Sequence, residues 1–141
     1  MIDNVPKIAV MGGGSWATAI AKIILRNVPQ ITWYMRRQEQ IDEFKRIAHN
    51  PSYLSSVTFD IDRISFTNKI NTAVANNDIL IFATPSPFFK SHMKNLRRRL
   101  DSKIIVSAIK GIVPDENVVI SEYFNKFYNV PYDSICALSG P

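Results

Sequence analysis

Short apolar runs alternate along the chain with stretches in which apolar residues recur every three or four positions. The runs suit buried strands, and the spacing between them is typical of amphipathic helices. Strand and helix in regular alternation predict an α/β domain with a mainly parallel sheet and helices on both faces. The predicted strands are 7–11, 31–35, 64–66, 78–83, 103–108 and 134–138. The predicted helices are 15–26, 38–48, 69–76, 86–100 (with Ser86 as candidate N-cap) and 115–127.

The first predicted strand leads directly into a glycine-rich turn and a helix. Gly12, Gly14 and Ala17 form G-x-G-x-x-A, which indicates a dinucleotide-binding unit when it joins a strand to a helix. Gly12 permits torsion angles that a side chain would forbid, and Gly14 lets a pyrophosphate come close to the backbone. The first helical amides, from Ser15 onward, and the helix dipole favour the phosphate charge. The alternative is a glycine-rich connection in some other α/β protein.

Six strands after such a turn predict a Rossmann-type, doubly wound domain with strand order 3-2-1-4-5-6. The chain has 141 residues, enough for one domain, and 46% of them are hydrophobic. No apolar run is long enough to span a bilayer, no leader is evident, and Cys136 is alone, so we expect a soluble cytoplasmic protein without membrane insertion. The net charge of +5 comes from scattered basic residues, which favours an anionic cofactor and substrate over a specific nucleic acid.

The end of the second predicted strand bears on cofactor choice. An NAD-selective site usually has an acidic residue there for the ribose hydroxyl, whereas arginine accommodates the 2′-phosphate of NADP. Arg36 and Arg37 occupy this place, and Glu39 lies beyond it. We therefore predict that both arginines bind the cofactor, with NADP favoured and NAD still open. The alternative is a solvated basic turn.

Two further loops follow predicted strands at the carboxyl edge of the sheet, where ligands bind in such folds. Lys110 lies after the fifth strand, beside Gly111, and is either an anion contact or a surface lysine. Phe88 or Phe89, after the fourth strand, could cover the cofactor, although we expect at least one of them in the core. Trp16 is either a cofactor contact or a core tryptophan.

Other candidates carry less weight. The separation of His49 and His92 does not match a metal site, so we interpret both as surface histidines, and we predict no metal site. The basic segment 94–99 is interpreted as a solvated helix end, and Cys136 as packing within an apolar strand.

Five segments, taken in order, resemble bacterial-type NAD(P)-dependent glycerol-3-phosphate dehydrogenase. Residues 12–19, GGGSWATA, resemble G-x-G-S-W-G-T-A with an alanine replacing a glycine, and 33–37 resemble its second strand ending in a basic residue. Residues 50–54, NPSYL, are similar to N-x-x-Y-L, although two serines follow where the family has Pro-Gly. Residues 107–111 resemble S-x-x-K-G, and 139–141 resemble the start of S-G-P-S/T-x-A.

The resemblance implies reversible hydride transfer between NAD(P)H and C2 of dihydroxyacetone phosphate, which gives sn-glycerol 3-phosphate for glycerophospholipid synthesis. The implied cofactor contacts are Ser15, Trp16, Arg36, Tyr53 and Lys110, and the implied substrate contacts are Lys110 and Gly140. The family's proton-transferring lysine belongs to a helical C-terminal domain. We therefore expect residues 1–141 to be the NAD(P)-binding domain, with no catalytic residue and little or no turnover by itself.

Two alternatives remain open. The chain could be the nucleotide-binding domain of another dehydrogenase, such as a ketopantoate reductase or a hydroxyacyl-CoA dehydrogenase. It could also be a stand-alone nucleotide-binding module. A homo-oligomer of the full-length protein is compatible with either.

Overall fold

The computed structural model describes residues 5–54, 56–84, 86–109, 112–113 and 118–138. The helices are α1 (Ser15–Ile24), α2 (Gln38–Ile47), α3 (Ile70–Ala75), α4 (Ser86–Met93) and α5 (Ile120–Tyr128). The strands are β1 (Ile8–Met11), β2 (Ile31–Tyr34), β3 (Ile64–Thr67), β4 (Ile79–Phe82), β5 (Ile104–Ser107), β6 (Ile112–Val113), β7 (Val118–Val119) and β8 (Ile135–Ala137).

Six of these strands form one parallel sheet in the order β3-β2-β1-β4-β5-β8. This order confirms the predicted Rossmann-type topology, because β8 is the sixth strand of the sheet along the chain. Met11 at the end of β1 lies between Tyr34 of β2 and Phe82 of β4. The segments that follow β1, β2 and β4 therefore meet at one edge of the sheet, where such folds bind ligands.

Two apolar clusters cover the two faces of the sheet. The buried residues of β1 alternate between them, since Ala9 and Met11 belong to one cluster and Val10 to the other. Helices α3, α4 and α5 contribute to the first cluster, which includes Phe89. Helices α1 and α2 contribute to the second, which is built around Trp33 and Phe44. Helices on both faces were predicted, and the alternation along β1 shows how one strand contributes buried side chains to both clusters.

Two predicted helices have different bounds in the structure. Helix α4 ends at Met93 instead of continuing to residue 100, and the following segment turns back, with the Arg97 amide donating to Asn71 Oδ1. The helix predicted for 115–127 begins only at Ile120, because β7 pairs with β6 as an antiparallel hairpin. The other predicted strands and helices differ from the structure by one or two residues at their ends.

The interpretation of Cys136 as buried packing is wrong. Cys136 is exposed on β8, a strand at the edge of the sheet whose neighbour in the described part of the chain is β5. An apolar strand pattern predicts a strand, but it does not reveal whether a helix covers that end of the sheet. Among the described residues, no helix has the length and apolar character needed to cross a membrane.

Candidate nucleotide-binding site

The turn between β1 and α1 has the backbone geometry that its glycines predicted. Gly12 has a φ of +134°, which a side chain would strain, and its amide donates to Tyr34 O at 3.0 Å. A Cβ on Gly12 would lie 3.1 Å from Ala83 O. Gly14 is different, since a Cβ there would meet no atom of the described residues within 4 Å. The turn is therefore tight at Gly12 and open at Gly14.

Helix α1 begins immediately after this open position. Gly14 is its N-cap and supplies no side chain to cap the helix, and the first turn holds no acidic residue. The amide and hydroxyl of Thr18 both donate to Gly14 O, at 3.0 and 2.7 Å, which fixes the carbonyl side of the turn. The first amides of a helix have no partner within the helix. At α1 they are available to an anion, which the helix dipole also favours.

Ser15 and Trp16 are both exposed on the first turn of α1. Trp16 is 37% exposed, so the interpretation as a core tryptophan is wrong. Its Nε1 donates to Ala108 O at 3.1 Å. Trp16 therefore connects the glycine turn to the segment that follows β5.

An open groove of about 380 Å³ runs from this turn across the end of β2. It is lined by residues 13–14, Arg36, Arg37, Gln40, 51–53 and His92, among others. The groove thus brings together four residues that the sequence predicted as cofactor contacts: Gly14, Arg36, Arg37 and Tyr53. Glu39 and Glu43 of α2 also line it, so the groove holds charges of both signs.

Asn50 organises one wall of the groove, a role that the sequence did not predict. It is completely buried, and its Nδ2 donates to Gly13 O at 3.0 Å and to Thr18 Oγ1 at 2.9 Å. Its Oδ1 accepts from Gln40 Nε2 at 3.2 Å and from the amides of residues 52 and 53, at 2.9 and 3.2 Å. The signal was its position in the N-x-x-Y-L segment, where the spacing suggests a turn that an asparagine side chain caps.

His92 is not the surface histidine that we expected. It is partly buried in the groove wall, with its Nδ1 3.1 Å from Thr84 Oγ1 and its ring edge-on to Tyr34. Burial lowers the pKa of His92, and the nearby positive charge of Arg36 lowers it further. Burial also raises the pKa of the Tyr34 phenol. Both effects favour the neutral form of the His92 imidazole beside the basic loop.

The structure also describes several of the remaining predicted features. His49 is partly exposed, with Nδ1 3.1 Å from Asn50 O, and no metal-binding cluster occurs within the residues that the structure describes. The arginines at 97–99 are exposed, as expected of a solvated segment, although they follow α4 instead of ending it. Phe89 is a core residue. Lys110, Gly140 and the side chain of Phe88 lie outside the described part of the chain, so their predicted roles stay predictions.

Comparison with known proteins identifies the family. The family model described as the N-terminus of NAD-dependent glycerol-3-phosphate dehydrogenase matches residues 7–141. This chain belongs to that family. The glycine turn, the end of β2 and the groove all lie within the matched region.

Individual relatives agree with this assignment. The glycerol-3-phosphate dehydrogenase [NAD(P)+] of Thermoanaerobacter sp. (strain X514) is 34% identical over 139 residues, which cover 96% of this chain and 40% of the relative. A second such enzyme, from Lactobacillus delbrueckii subsp. bulgaricus, is 32% identical over 96% of this chain and 41% of its own length. The chain thus spans about 40% of the length of these curated relatives.

Solved structures of the family share the fold. Glycerol-3-phosphate dehydrogenase from Plasmodium falciparum superposes with a TM-score of 0.81 at 25% identity, covering 96% of this chain and 40% of that one. The enzyme from Coxiella burnetii superposes with a TM-score of 0.77 at 22% identity over 96% of this chain and 41% of its own, which supports the fold alone.

Proposed function

We propose that this chain is the dinucleotide-binding domain of an NAD(P)-dependent glycerol-3-phosphate dehydrogenase. The observation that carries the proposal is the start of α1: uncapped helical amides behind an open Gly14, at the carboxyl edge of a parallel sheet. A helix start of this kind suits a pyrophosphate. The groove that continues from it, past Tyr53 to Arg36 and Arg37, suits the adenosine half of the same molecule.

The residues of the site fit a bound dinucleotide. The open space at Gly14 and the exposed Ser15 would receive the pyrophosphate, and Trp16 would lie near it on the side of β5. When bound, NADP or NAD supplies the hydride acceptor or donor for C2 of the substrate. The chain's own contribution is to bind this cofactor, to hold it at the sheet edge and to set its orientation.

Arg36 and Arg37 support a preference for NADP. Both line the groove, and a guanidinium recognises a phosphate through charge-assisted, paired hydrogen bonds. An NAD site would instead need a carboxylate at the end of β2. Glu39 lines the groove as well, which keeps NAD binding within the proposal.

The proposed substrates are dihydroxyacetone phosphate and sn-glycerol 3-phosphate, on the strength of the family assignment. Lys110 would contact both cofactor and substrate, and Gly140 the substrate. We assign no proton donor within residues 1–141, and general acid catalysis contributes roughly 10²–10⁴-fold to such reactions. We therefore propose that these 141 residues bind the cofactor and turn over little substrate by themselves.

Gly14→Ala tests the pyrophosphate site directly. The φ of Gly14 is −88°, and the new Cβ would meet no described atom, so folding should be retained. Replacing a glycine at a compatible position even tends to stabilise, by about 0.4–1 kcal/mol. We expect NADPH affinity, measured by fluorescence titration, to fall about tenfold, which equals about 1.4 kcal/mol.

Gly12→Ala is the matched control. Its positive φ and the nearby Ala83 O predict a loss of folding stability that Gly14→Ala should not show. Unchanged NADPH binding by a stably folded Gly14→Ala variant would contradict the pyrophosphate assignment.

Arg36→Ala tests the cofactor preference. The variant should lose affinity for NADPH more than for NADH, because NADH carries no 2′-phosphate. Arg98→Ala, an exposed arginine beyond α4, controls for the loss of one positive charge. Equal losses for both dinucleotides would remove the 2′-phosphate assignment.

A further inference from the structure

His92 lies in the same groove wall as the basic loop after β2, although the two are far apart in sequence. Helix α4 follows β4 and the basic loop follows β2, and these strands lie on either side of β1. The sheet order therefore brings His92 beside Arg36 at the carboxyl edge. Arg36 and Arg37 line the groove with it.

Two contacts hold the imidazole in place. Its Nδ1 lies 3.1 Å from Thr84 Oγ1, and its ring meets Tyr34 edge-on with centroids 6.0 Å apart. Thr84 is buried, and its hydroxyl also lies 3.4 Å from Met11 O. A hydroxyl has one hydrogen, so if Thr84 donates it to Met11 O, the proton of the neutral ring lies on Nδ1. The Nε2 atom then carries the lone pair that protonation would convert into a donor.

We propose that His92 is a second contact for the 2′-phosphate of NADP, where it acts with Arg36 to distinguish NADP from NAD. This inference rests on the proposed function, since it assumes that the adenosine half of a dinucleotide occupies the groove. It adds a specificity-determining residue from α4, an element that the sequence did not connect with cofactor choice. The ligand chemistry is a ribose phosphate dianion.

The charge balance explains why a phosphate would change the state of His92. In the free protein, burial and the Arg36 charge hold the pKa of His92 below its ordinary value of 6.5. A phosphate monoester carries about −1.5 to −2 charge near neutral pH. Placed beside Arg36, it would offset the guanidinium charge and favour the imidazolium, whose Nε2 could then donate to a phosphate oxygen. Binding of a 2′-phosphate should therefore be accompanied by proton uptake at His92.

The other ionisable groups that line the groove or contact His92 come from β2, the basic loop, α2 and the loop after α2. They are Tyr34, Arg36, Arg37, Glu39, Glu43 and Tyr53. Glu43 is paired with Arg46, which lowers the pKa of that carboxyl. Unlike tyrosine, arginine and glutamate, histidine ordinarily changes its charge between about pH 5 and 8.

Binding of two adenosine nucleotides to the 141-residue chain tests the inference. Adenosine 2′,5′-bisphosphate carries the phosphate in question and 5′-AMP lacks it. His92→Asn keeps an amide near the Nδ1 position for Thr84 and removes Nε2. We expect this variant to bind the bisphosphate about tenfold more weakly by calorimetry, as for one lost hydrogen bond to a charged group. Its 5′-AMP affinity should stay within about twofold of wild type. That is well short of a tenfold change, which equals about 1.4 kcal/mol.

Two further variants sharpen the test. His92→Gln carries a neutral amide near the Nε2 position, so it should recover part of the affinity without any proton uptake. His49→Gln is the matched control, because His49 is the other histidine of the chain and does not line the groove. Thermal unfolding of each variant shows whether it is folded at the binding temperature.

Proton uptake gives a readout that a structural role would not change. Calorimetry in buffers of different ionisation enthalpy, near about pH 6.5, should show more protons taken up with the bisphosphate by wild type than by His92→Gln. The phosphate itself titrates near about pH 6 in both proteins, so the difference isolates the histidine. In NMR spectra, the pKa of His92 should rise with the bisphosphate and remain unchanged with 5′-AMP.

Equal losses for both nucleotides, or no loss at all, would overturn the role of His92. If wild type binds the bisphosphate no better than 5′-AMP, the 2′-phosphate assignment of both His92 and Arg36 fails while dinucleotide binding stands. If wild type binds neither nucleotide and no NADH, the proposed function itself fails.

Discussion

Replacing Asn50 with alanine should weaken both the fold and the cofactor site. The buried amide joins Gly13 of the glycine turn and Thr18 of α1 to Gln40 of α2 and to the backbone of 52–53. These segments form the groove wall. One side chain therefore connects the proposed pyrophosphate turn to the proposed adenosine groove.

The magnitude follows from what alanine would leave behind. Gly13 O keeps the donor Gln40 Nε2 at 2.9 Å, and Thr18 Oγ1 keeps its bond to Gly14 O. The amides of 52–53 lose their common acceptor, although water can reach this partly exposed turn. At about 1 kcal/mol for each hydrogen bond that water does not replace, the free energy of unfolding should fall by about 2–4 kcal/mol.

The assay combines urea unfolding, monitored by tryptophan fluorescence, with an NADPH titration. Asn77→Ala is the matched control. Asn77 is also buried and donates from Nδ2 to Ala73 O at 2.8 Å, at the end of α3 and away from the groove. The control should lose about 1 kcal/mol of stability and no NADPH affinity, whereas Asn50→Ala should lose both.

A stability loss for Asn50→Ala no larger than that of the control would contradict the reasoning about its hydrogen bonds. Full NADPH affinity in a destabilised Asn50→Ala variant would show that the 52–53 turn does not shape the cofactor site. Asn50→Asp adds a second check, because a carboxylate cannot donate to Gly13 O and places negative charge beside a phosphate site. Its NADPH affinity should be lower than that of wild type.

Three other predictions concern stability. Trp33→Phe removes the 2.7 Å bond from Nε1 to Gly12 O, and urea unfolding should show a loss of about 1–3 kcal/mol. Arg63→Ala removes the guanidinium that binds carbonyls at and beyond the end of α1, and the free energy of unfolding should fall by a similar amount, about 1–3 kcal/mol. Arg63→Lys should recover little of this loss, because an ammonium lacks the paired, forked N–H donors of a guanidinium. Burial, with a smaller effect from Tyr123, raises the pKa of Tyr128 to about 12. An unfolded tyrosine titrates near about pH 10, so the free energy of unfolding should fall as the pH rises from about 10 toward the pKa of folded Tyr128. Ultraviolet titration should detect a phenol that ionises at this higher pH.

The sequence by itself determined the order of strands and helices, the glycine turn and the basic end of β2. These features depend on local rules. Apolar spacing decides which face of a strand or helix is buried, and only glycine readily adopts the φ of Gly12. The same local rules failed at the start of α5, where β7 pairs with β6 before the helix begins. Strand pairing between two separated segments overrode a helical pattern.

Only the tertiary structure decided which distant side chains share the site. Asn50 reaches Gly13 and Thr18 because α1 and the loop after α2 pack on the same face of the sheet. His92 joins Arg36 because β4 and β2 lie on either side of β1. A hydrophobic pattern predicts that a face is buried, but it does not identify the partner. The sheet order followed from the glycine turn and the six strands, but the particular side chains that meet across the sheet depend on packing, which no local stretch of sequence encodes.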